Sequence, residues 1–276
     1  MLSFDVEDWF QVENLRDAIP RNSWDSYELR VVQNTQRLLD ILEKNGIKAT
    51  FFVLGWIAER VPDLIKKIHL SGHEIASHGY GHELIYNLSR EEFRTDIKRS
   101  KMLLERITGQ QVVGYRAPNF SITEWAIDIL REEGFKYDSS LFPFTLHDRY
   151  GRLDSVNISI KDAVVNVGGD FVEVLIPTLD LLGKRIPWGG GGYFRLIPYS
   201  LYKIGVKNIL RKKGAFVFYL HPWELDFRQP KIKDAKSTYK IRHYTGLKRT
   251  ERKLKALLSD FKFITIQDGL KVLGHL

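Results

Sequence analysis

The sequence predicts an α/β fold built on a parallel sheet, and three observations carry that expectation. Apolar, β-branched and aromatic runs of strand length alternate with amphipathic stretches of helical period. The runs are almost uninterrupted, as in 48–54 (KATFFVL) and 215–220 (AFVFYL), which suits strands covered on both faces. The reactive side chains Asp5, His78, His82, Arg116, Asp138 and His221 each fall just past a predicted strand. An open sheet spreads such ends along a line, whereas a barrel gathers them on one face, where barrel enzymes keep their sites. The third observation therefore favours a barrel.

In chain order, residues 2–5 read as a short buried strand that delivers the acidic cluster Asp5-Val6-Glu7-Asp8. Residues 26–44 carry Leu29, Val32, Leu38, Leu39, Ile41 and Leu42 at helical spacing, with Gly46 beyond the end. Strand 48–54, a helix over 62–70 closed by Gly72, and strand 73–77 follow. Ser89 and Glu92 form a capping box for a helix that stops at Gly109. Strand 112–115 leads into Arg116-Ala117-Pro118, helix 123–133 ends at Gly134, and strand 135–137 leads into Asp138-Ser139-Ser140. A strand at 171–176 precedes the Gly189–Gly192 run and a helix at 199–212 stopped by Gly214. Strand 215–220 ends at His221-Pro222-Trp223; a helix at 250–258, a strand at 261–266 and a short helix from Asp268 close the chain. With no internal repeat or low-complexity linker, residues 1–276 read as one domain with a basic C-terminal extension from about 226.

Bulk properties set limits. At 276 residues and 43% hydrophobic, the chain can bury a full core. Cysteine is absent, which excludes disulfides and thiolate ligands. No apolar run approaches the ~18 residues of a membrane span, and Met1-Leu2-Ser3-Phe4 does not open a signal peptide. The expected location is cytoplasmic, peripheral to the membrane at most. Residues 226–255 hold eleven Lys/Arg against three carboxylates, a net +8 that equals the charge of the whole chain. From 228 to 255 this segment suits an anionic membrane surface or an acidic glycan, against the plainer reading of a solvated basic face. Nucleic acid is not expected as a partner.

The chemistry centres on Ser77-His78-Gly79-Tyr80-Gly81-His82. Two imidazoles four residues apart can grip one metal ion, and the intervening glycines place them on a loop at a strand end. The Asp5-to-Asp8 cluster at another strand end supplies a carboxylate, giving a His-His-carboxylate set with open positions, a catalytic design. Pleat alternation puts Asp5 and Glu7 on one face and Asp8 on the other, favouring Glu7 as the ligand with Asp8 as the alternative. Imidazole and carboxylate donors suit zinc and neighbouring transition ions.

Read together, Ser3-to-Asp8, Ser77-to-His82, Arg116-Ala117-Pro118, Tyr137-to-Ser140 and Tyr219-Leu220-His221 resemble the ordered motifs of the NodB-homology polysaccharide deacetylases, carbohydrate esterase family four. The Asp-Val-Glu-Asp-Trp-Phe opening, Gly-Gly-Gly-Tyr-Phe-Arg-Leu and His-Pro-Trp-Glu resemble the branch associated with exosortase and exopolysaccharide gene clusters. The resemblance implies a deformed (β/α) barrel of about seven parallel strands, a divalent metal, usually zinc, and removal of N-acetyl groups from N-acetylhexosamine units, here in exopolysaccharide biosynthesis. It implies Asp5 as base, Arg116 fixing Asp5 by a charge-assisted, bidentate bond, His221 as general acid and Asp138 orienting His221. The family's usual adjacent aspartate pair is interrupted here by Val6 and Glu7. Trp188, Tyr193 and Pro118 are candidate sugar contacts, Trp188 foremost. His69, His73, His147, His243 and His275 are assigned no role. The rival functions are hydrolysis of another non-peptide C–N bond in a related barrel, and a metal-bearing but inactive glycan-binding protein. A two-carboxylate glycosidase leaves the histidine pair unexplained.

Overall fold

The structure, a computed structural model, describes residues 1–143, 162–181 and 183–276, so His147 lies outside the described residues. The chain opens on β1 (Leu2–Val6) and, after an irregular stretch, enters α1 (Val31–Lys44), β2 (Thr50–Val53), α2 (Gly55–Arg60), α3 (Pro62–Leu70) and β3 (Glu74–Ser77). Then come α4 (Arg90–Thr108), β4 (Gly114–Tyr115), α5 (Glu124–Glu132) and β5 (Tyr137–Asp138). Two hairpins follow, β6 (Val164–Gly168) with β7 (Phe171–Val174), and β8 (Thr178–Leu181) with β9 (Lys184–Pro187). The chain finishes with α6 (Gly191–Leu196), α7 (Tyr199–Lys213), β10 (Phe218–Leu220), α8 (Ser237–Tyr244), α9 (Leu247–Asp260) and α10 (Ile266–Val272).

One curled sheet has the order β10-β1-β2-β3-β4-β5-β7-β6. The first seven strands in that order run parallel, as expected, and β6 pairs antiparallel with β7 at the edge. The sheet is a half-barrel, open between the β10 and β6 edges. Alternation along the strands divides its side chains. Leu2, Phe4, Val6, Phe51 and Val53 face outward into the core shared with the helices. Phe52, Ala76, Tyr137, Val172 and Val174 fill the concave side, which Met1, Val217, Ile266 and Leu270 plug from below. At its crowded middle, a Cβ on Gly114 would stand 2.2 Å from the Tyr137 ring. Only glycine lets β4 and β5 pair there.

Local signals set most helix ends. The Ser89 box forms, with Glu92 N–H donating to Ser89 Oγ, and Gly109 closes α4 at φ +68°. Three expectations change. The helix expected from residue 26 begins at Val31, because Asp8 takes the N–H groups of Arg30 and Val31. The strand expected at 261–266 is an extended approach to α10: Leu2 N–H still donates to Ile264 O at 3.0 Å, but Thr265 Oγ accepts from Asp268 N–H and starts the helix. The basic stretch from about 226 is integral, since α9 buries Leu247, Leu254, Leu257 and Leu258 in the main core. Among the described residues no helix is long and apolar enough to cross a membrane.

Candidate metal centre and active site

The C-terminal ends of β1, β3, β4 and β10 converge on one cleft, lined by Asp5, Glu7, His78, His82, Asn119, Phe120, Tyr219, His221 and Trp223 among others. Asp5 is buried at the end of β1 and Glu7 follows on the same side. Asp8 turns the other way. Its Oδ1 accepts from Trp9 N–H at 2.8 Å, and its Oδ2 from Arg30 and Val31 N–H at 2.7 and 2.8 Å. Burial lifts its pKa to about 6 against those hydrogen bonds. Asp8 thus caps the start of α1, and Glu7 is the carboxylate grouped with the histidines.

Glu7, His78 and His82 each offer one ligand atom, all within 4.8 Å of one another. His78 Nδ1 bonds Arg116 O at 2.8 Å, which fixes the tautomer and leaves Nε2 for a ligand. Burial pushes its pKa down to about 4, so the ring stays neutral, the form that binds metals. His82 adopts φ +55°, a left-handed conformation rare outside glycine. Asp96 on α4 holds the loop between the histidines by accepting from Tyr80 and Gly81 N–H at 2.7 and 3.0 Å. Glu7 Oε2 stands 2.6 Å from His82 Nε2 and has no other hydrogen-bond partner among the described residues. An oxygen and a ring nitrogen that close need a proton or a cation between them. Burial works against the Glu7 charge, yet His82 and then His221 hold its pKa at about 2. The donor set therefore fits a divalent ion. Glu7→Gln should lose metal while folding normally. Asp8→Asn should keep metal but cost roughly 1–3 kcal/mol, the usual penalty for buried N–H groups left unsatisfied. Metal analysis and denaturant melts separate the two.

Arg116, wholly buried, holds Asp5 in place. Nη1 donates to Asp5 Oδ1 at 2.7 Å and to Ser3 Oγ at 2.9 Å; Nε and Nη2 donate to Ser139 O and Oγ, both at 2.9 Å. The contact with Asp5 is single rather than bidentate, since the rest of the fork is spent on Ser3 and Ser139. It leaves Asp5 Oδ2 facing His221 Nε2 at 3.8 Å. His221 keeps 19% of its side chain open to the cleft, and its Nε2 lies 3.5 Å from Glu7 Oε1. Trp223 stacks on the His221 ring at 5.3 Å and donates from Nε1 to Glu7 Oε1 at 3.2 Å. Burial alone would lower the His221 pKa, but Glu7, Glu224 and Asp5 raise it to about 9. Across the cleft Asn119 and Phe120 both sit at positive φ, +50° and +58°, backbone strain of the kind stored at functional sites.

Residues 22–137 match the polysaccharide deacetylase family, and residues 139–271 match a domain of unknown function, DUF3473. A peptidoglycan-N-acetylglucosamine deacetylase of Bacillus cereus is 31% identical over 120 residues, 38% of this chain and 44% of its own length. A peptidoglycan deacetylase of Helicobacter pylori is 33% identical over 149 residues, 50% of each chain. The chain spans half or less of the length of these curated relatives. A solved Mycobacterium smegmatis protein described as a polysaccharide deacetylase shares the fold at TM-score 0.62 and 22% identity, over 98% of this chain and 87% of its own. A Bacillus anthracis pseudoenzyme of carbohydrate esterase family four does so at 0.51 and 15%, over 97% and 63%.

Residues 22–137 carry a polysaccharide deacetylase domain. The boundary between the matched segments falls at the end of β5, inside one continuous sheet. The candidate site draws on both sides of it: His78, His82 and Arg116 lie in the first segment, His221 in the second, and Asp5 and Glu7 ahead of both.

Four expected site residues are placed elsewhere. Asp138 does not reach His221. Its Oδ1 accepts from Ser140 Oγ at 2.6 Å, and it is joined carboxyl to carboxyl with Glu173. Trp188 is core: it stacks on Tyr202 at 5.6 Å and donates from Nε1 to Tyr202 O, in space left by Gly205. Tyr193 is half-buried on α6 and Pro118 is buried, and neither lines the cleft, although Gly191, Gly192, Ala117 and Asn119 do. The ring nitrogen of His221 is instead met by Glu224, whose Oε1 lies 2.8 Å from Nδ1. That residue was readable, since an acidic side chain three positions on is the capping-box spacing already applied to Ser89 and Glu92.

The Asp138–Glu173 pair yields a stability prediction. Glu173 Oε1 accepts from Ser140 and Leu141 N–H at 3.0 and 2.7 Å, while among the described residues Glu173 Oε2 and Asp138 Oδ2 have only each other. Burial, then the neighbouring carboxyl, pushes the Glu173 pKa well up, so the fold holds a proton that the unfolded chain releases near pH 4. The pair's contribution is complete below that pH and lost as pH rises, by up to about 1.4 kcal/mol per unit. Glu173→Gln mimics the protonated state. Its stability relative to the parent should grow between pH 5 and 8, as denaturant melts at each pH would register.

Proposed function

We propose that the protein removes the N-acetyl group from an N-acetylhexosamine unit of a glycan or its precursor, yielding acetate and a free amine. One observation carries this reading: Asp5 and His221 face each other at 3.8 Å beside the Glu7–His78–His82 donor set. A divalent ion held by that set, zinc by its donor chemistry, would supply Lewis acidity toward the acetyl carbonyl oxygen. Asp5, anchored through one oxygen, takes a proton from water with the other as the water oxygen bonds the carbonyl carbon. His221 gives its Nε2 proton to the amide nitrogen as the C–N bond breaks, so the amine leaves neutral. Asn14, Asn119 and Arg242 in the cleft wall suit sugar hydroxyl and acidic groups, and Phe120 and Tyr219 offer apolar faces to a ring.

The names of the curated relatives make peptidoglycan-type N-acetylglucosamine oligomers the first substrates to assay. Acetate release that stops with chelator and returns with zinc supports the reading. Binding of the same oligomers without release, with metal loaded, would favour a glycan-binding protein. The biosynthetic setting we propose, from the sequence resemblance, is exopolysaccharide assembly on a cytoplasmic precursor near the membrane.

We propose further that the exposed part of the 228–255 segment meets an anionic membrane or acidic glycan. Lys253 is turned inward, donating to Phe194, Arg195 and Ile197 carbonyls, and Arg242 faces the cleft. Lys248, Arg249 and Arg252 remain exposed on α9. Reversing those charges together should weaken co-sedimentation with anionic vesicles, and added salt should mimic the effect. Sedimentation indifferent to both changes would leave a solvated basic face.

A further inference from the structure

We infer that Glu224 and Arg195, rather than a carboxylate at the end of β5, set the orientation and tautomer of His221; this rests on the deacetylase reading above. Glu224 is fully buried at the third position of the one-turn helix that begins after His221. Its Oε1 meets both ends of the histidine, the ring Nδ1 at 2.8 Å and the backbone N–H at 3.1 Å. Its Oε2 lies 2.6 Å from Arg195 Nε. Arg195, itself only 4% exposed, spends its remaining donors on the end of α8. Nη1 donates to His243 O and Thr245 O, both at 2.7 Å, and Nη2 to Arg242 O at 3.0 Å. Carbonyls at a helix C-terminus lack intrahelical partners, so they are natural seats for a guanidinium.

The contacts run in series. The α8 carbonyls hold the guanidinium by hydrogen bonds, the guanidinium meets one carboxylate oxygen as an ion pair, and the other oxygen meets the imidazole. A donor Nδ1–H aimed at Glu224 leaves Nε2 pointing into the cleft toward Asp5 and Glu7, at 3.8 and 3.5 Å. Asp138 is committed to Ser140 and Glu173 and offers His221 nothing. Glu224 and Arg195 are positioning residues, acting through the ring.

The test substitutes Glu224→Gln, which preserves shape. Arg195, a permanent cation, should claim the amide oxygen, so the amide NH2 faces Nδ1 and turns that nitrogen from donor to acceptor. Nitrogen-15 NMR of labelled histidine should show a bonded Nδ1–H for His221 in the parent and in Asp138→Asn, and its loss in Glu224→Gln. Release of acetate from N-acetylglucosamine oligomers should fall roughly 10–100-fold in kcat, with KM within about twofold. Hydrolysis of an aryl acetate, whose leaving group needs no protonation, should fall far less. Arg195→Met/Glu224→Met, which removes both charges together and strands neither, should also lose the Nδ1–H signal. Persistence of that signal in both Glu224 variants, its loss in Asp138→Asn, or equal loss of ester and amide hydrolysis would overturn the inference. If the parent shows the signal and cleaves aryl acetate but no N-acetylated glycan, the substrate reading fails while the positioning stands.

Discussion

His78→Ala or His82→Ala should strip the metal and reduce acetate release by more than ~100-fold, since even residues that only support a ligand typically account for 10–100-fold. Each change removes one of the donors grouped within 4.8 Å, and what remains competes poorly with water. The two should differ in a second respect. His78 is neutral and tied to Arg116 O, so its loss removes a ligand and one hydrogen bond. His82 faces the Glu7 carboxylate at 2.6 Å, so its loss leaves a buried charge without its nearest counter-charge. The His82 variant should therefore be the less stable of the pair. Metal stoichiometry, acetate release and melting of the two proteins are the measurements. Full activity in either metal-free variant would refute the proposed site.

Asp5→Asn and His221→Ala should each lower kcat by roughly 10²–10⁴-fold, the range for a positioned proton-transfer group, with metal still bound. Asparagine keeps the acceptor for Arg116 but cannot take a proton, so the fold around Ser3 and Ser139 should survive. Alanine at 221 leaves Glu224 paired with Arg195, which limits the structural cost. The leaving group separates the two roles. The His221 variant should recover most of its rate on an aryl acetate, because that departure needs no acid. The Asp5 variant should not, because water must still be deprotonated. Loss of metal in either protein would reassign that residue as a ligand.

Motifs were legible wherever chemistry and local backbone agree. The histidine loop, the acidic end of β1, Arg116 and His221 are read from residue types just past apolar runs, and the parallel sheet from the runs themselves. Pleat alternation also separated Glu7 from Asp8, because side-chain direction along a strand is a local property. The elements left unread, α2, β6, β8, β9, α6 and α8, span only four to eight residues each, too few for periodicity to carry much signal.

What the sequence by itself determined was the inventory: a strand-helix alternation, a Glu-His-His donor set, an aspartate with its arginine, and a histidine at the end of the last strand. The tertiary structure decided the pairings. It sent Asp8 to the end of α1, 22 residues away in sequence, gave Asp138 to Glu173, buried Trp188 on Tyr202, and tied His221 through Glu224 to Arg195 and α8. The physical reason is that a buried polar group must find a partner, and several partners of the right type stand in this sequence. Which of them comes within 3 Å depends on how the sheet curls and where the helices end, and no local pattern contains that.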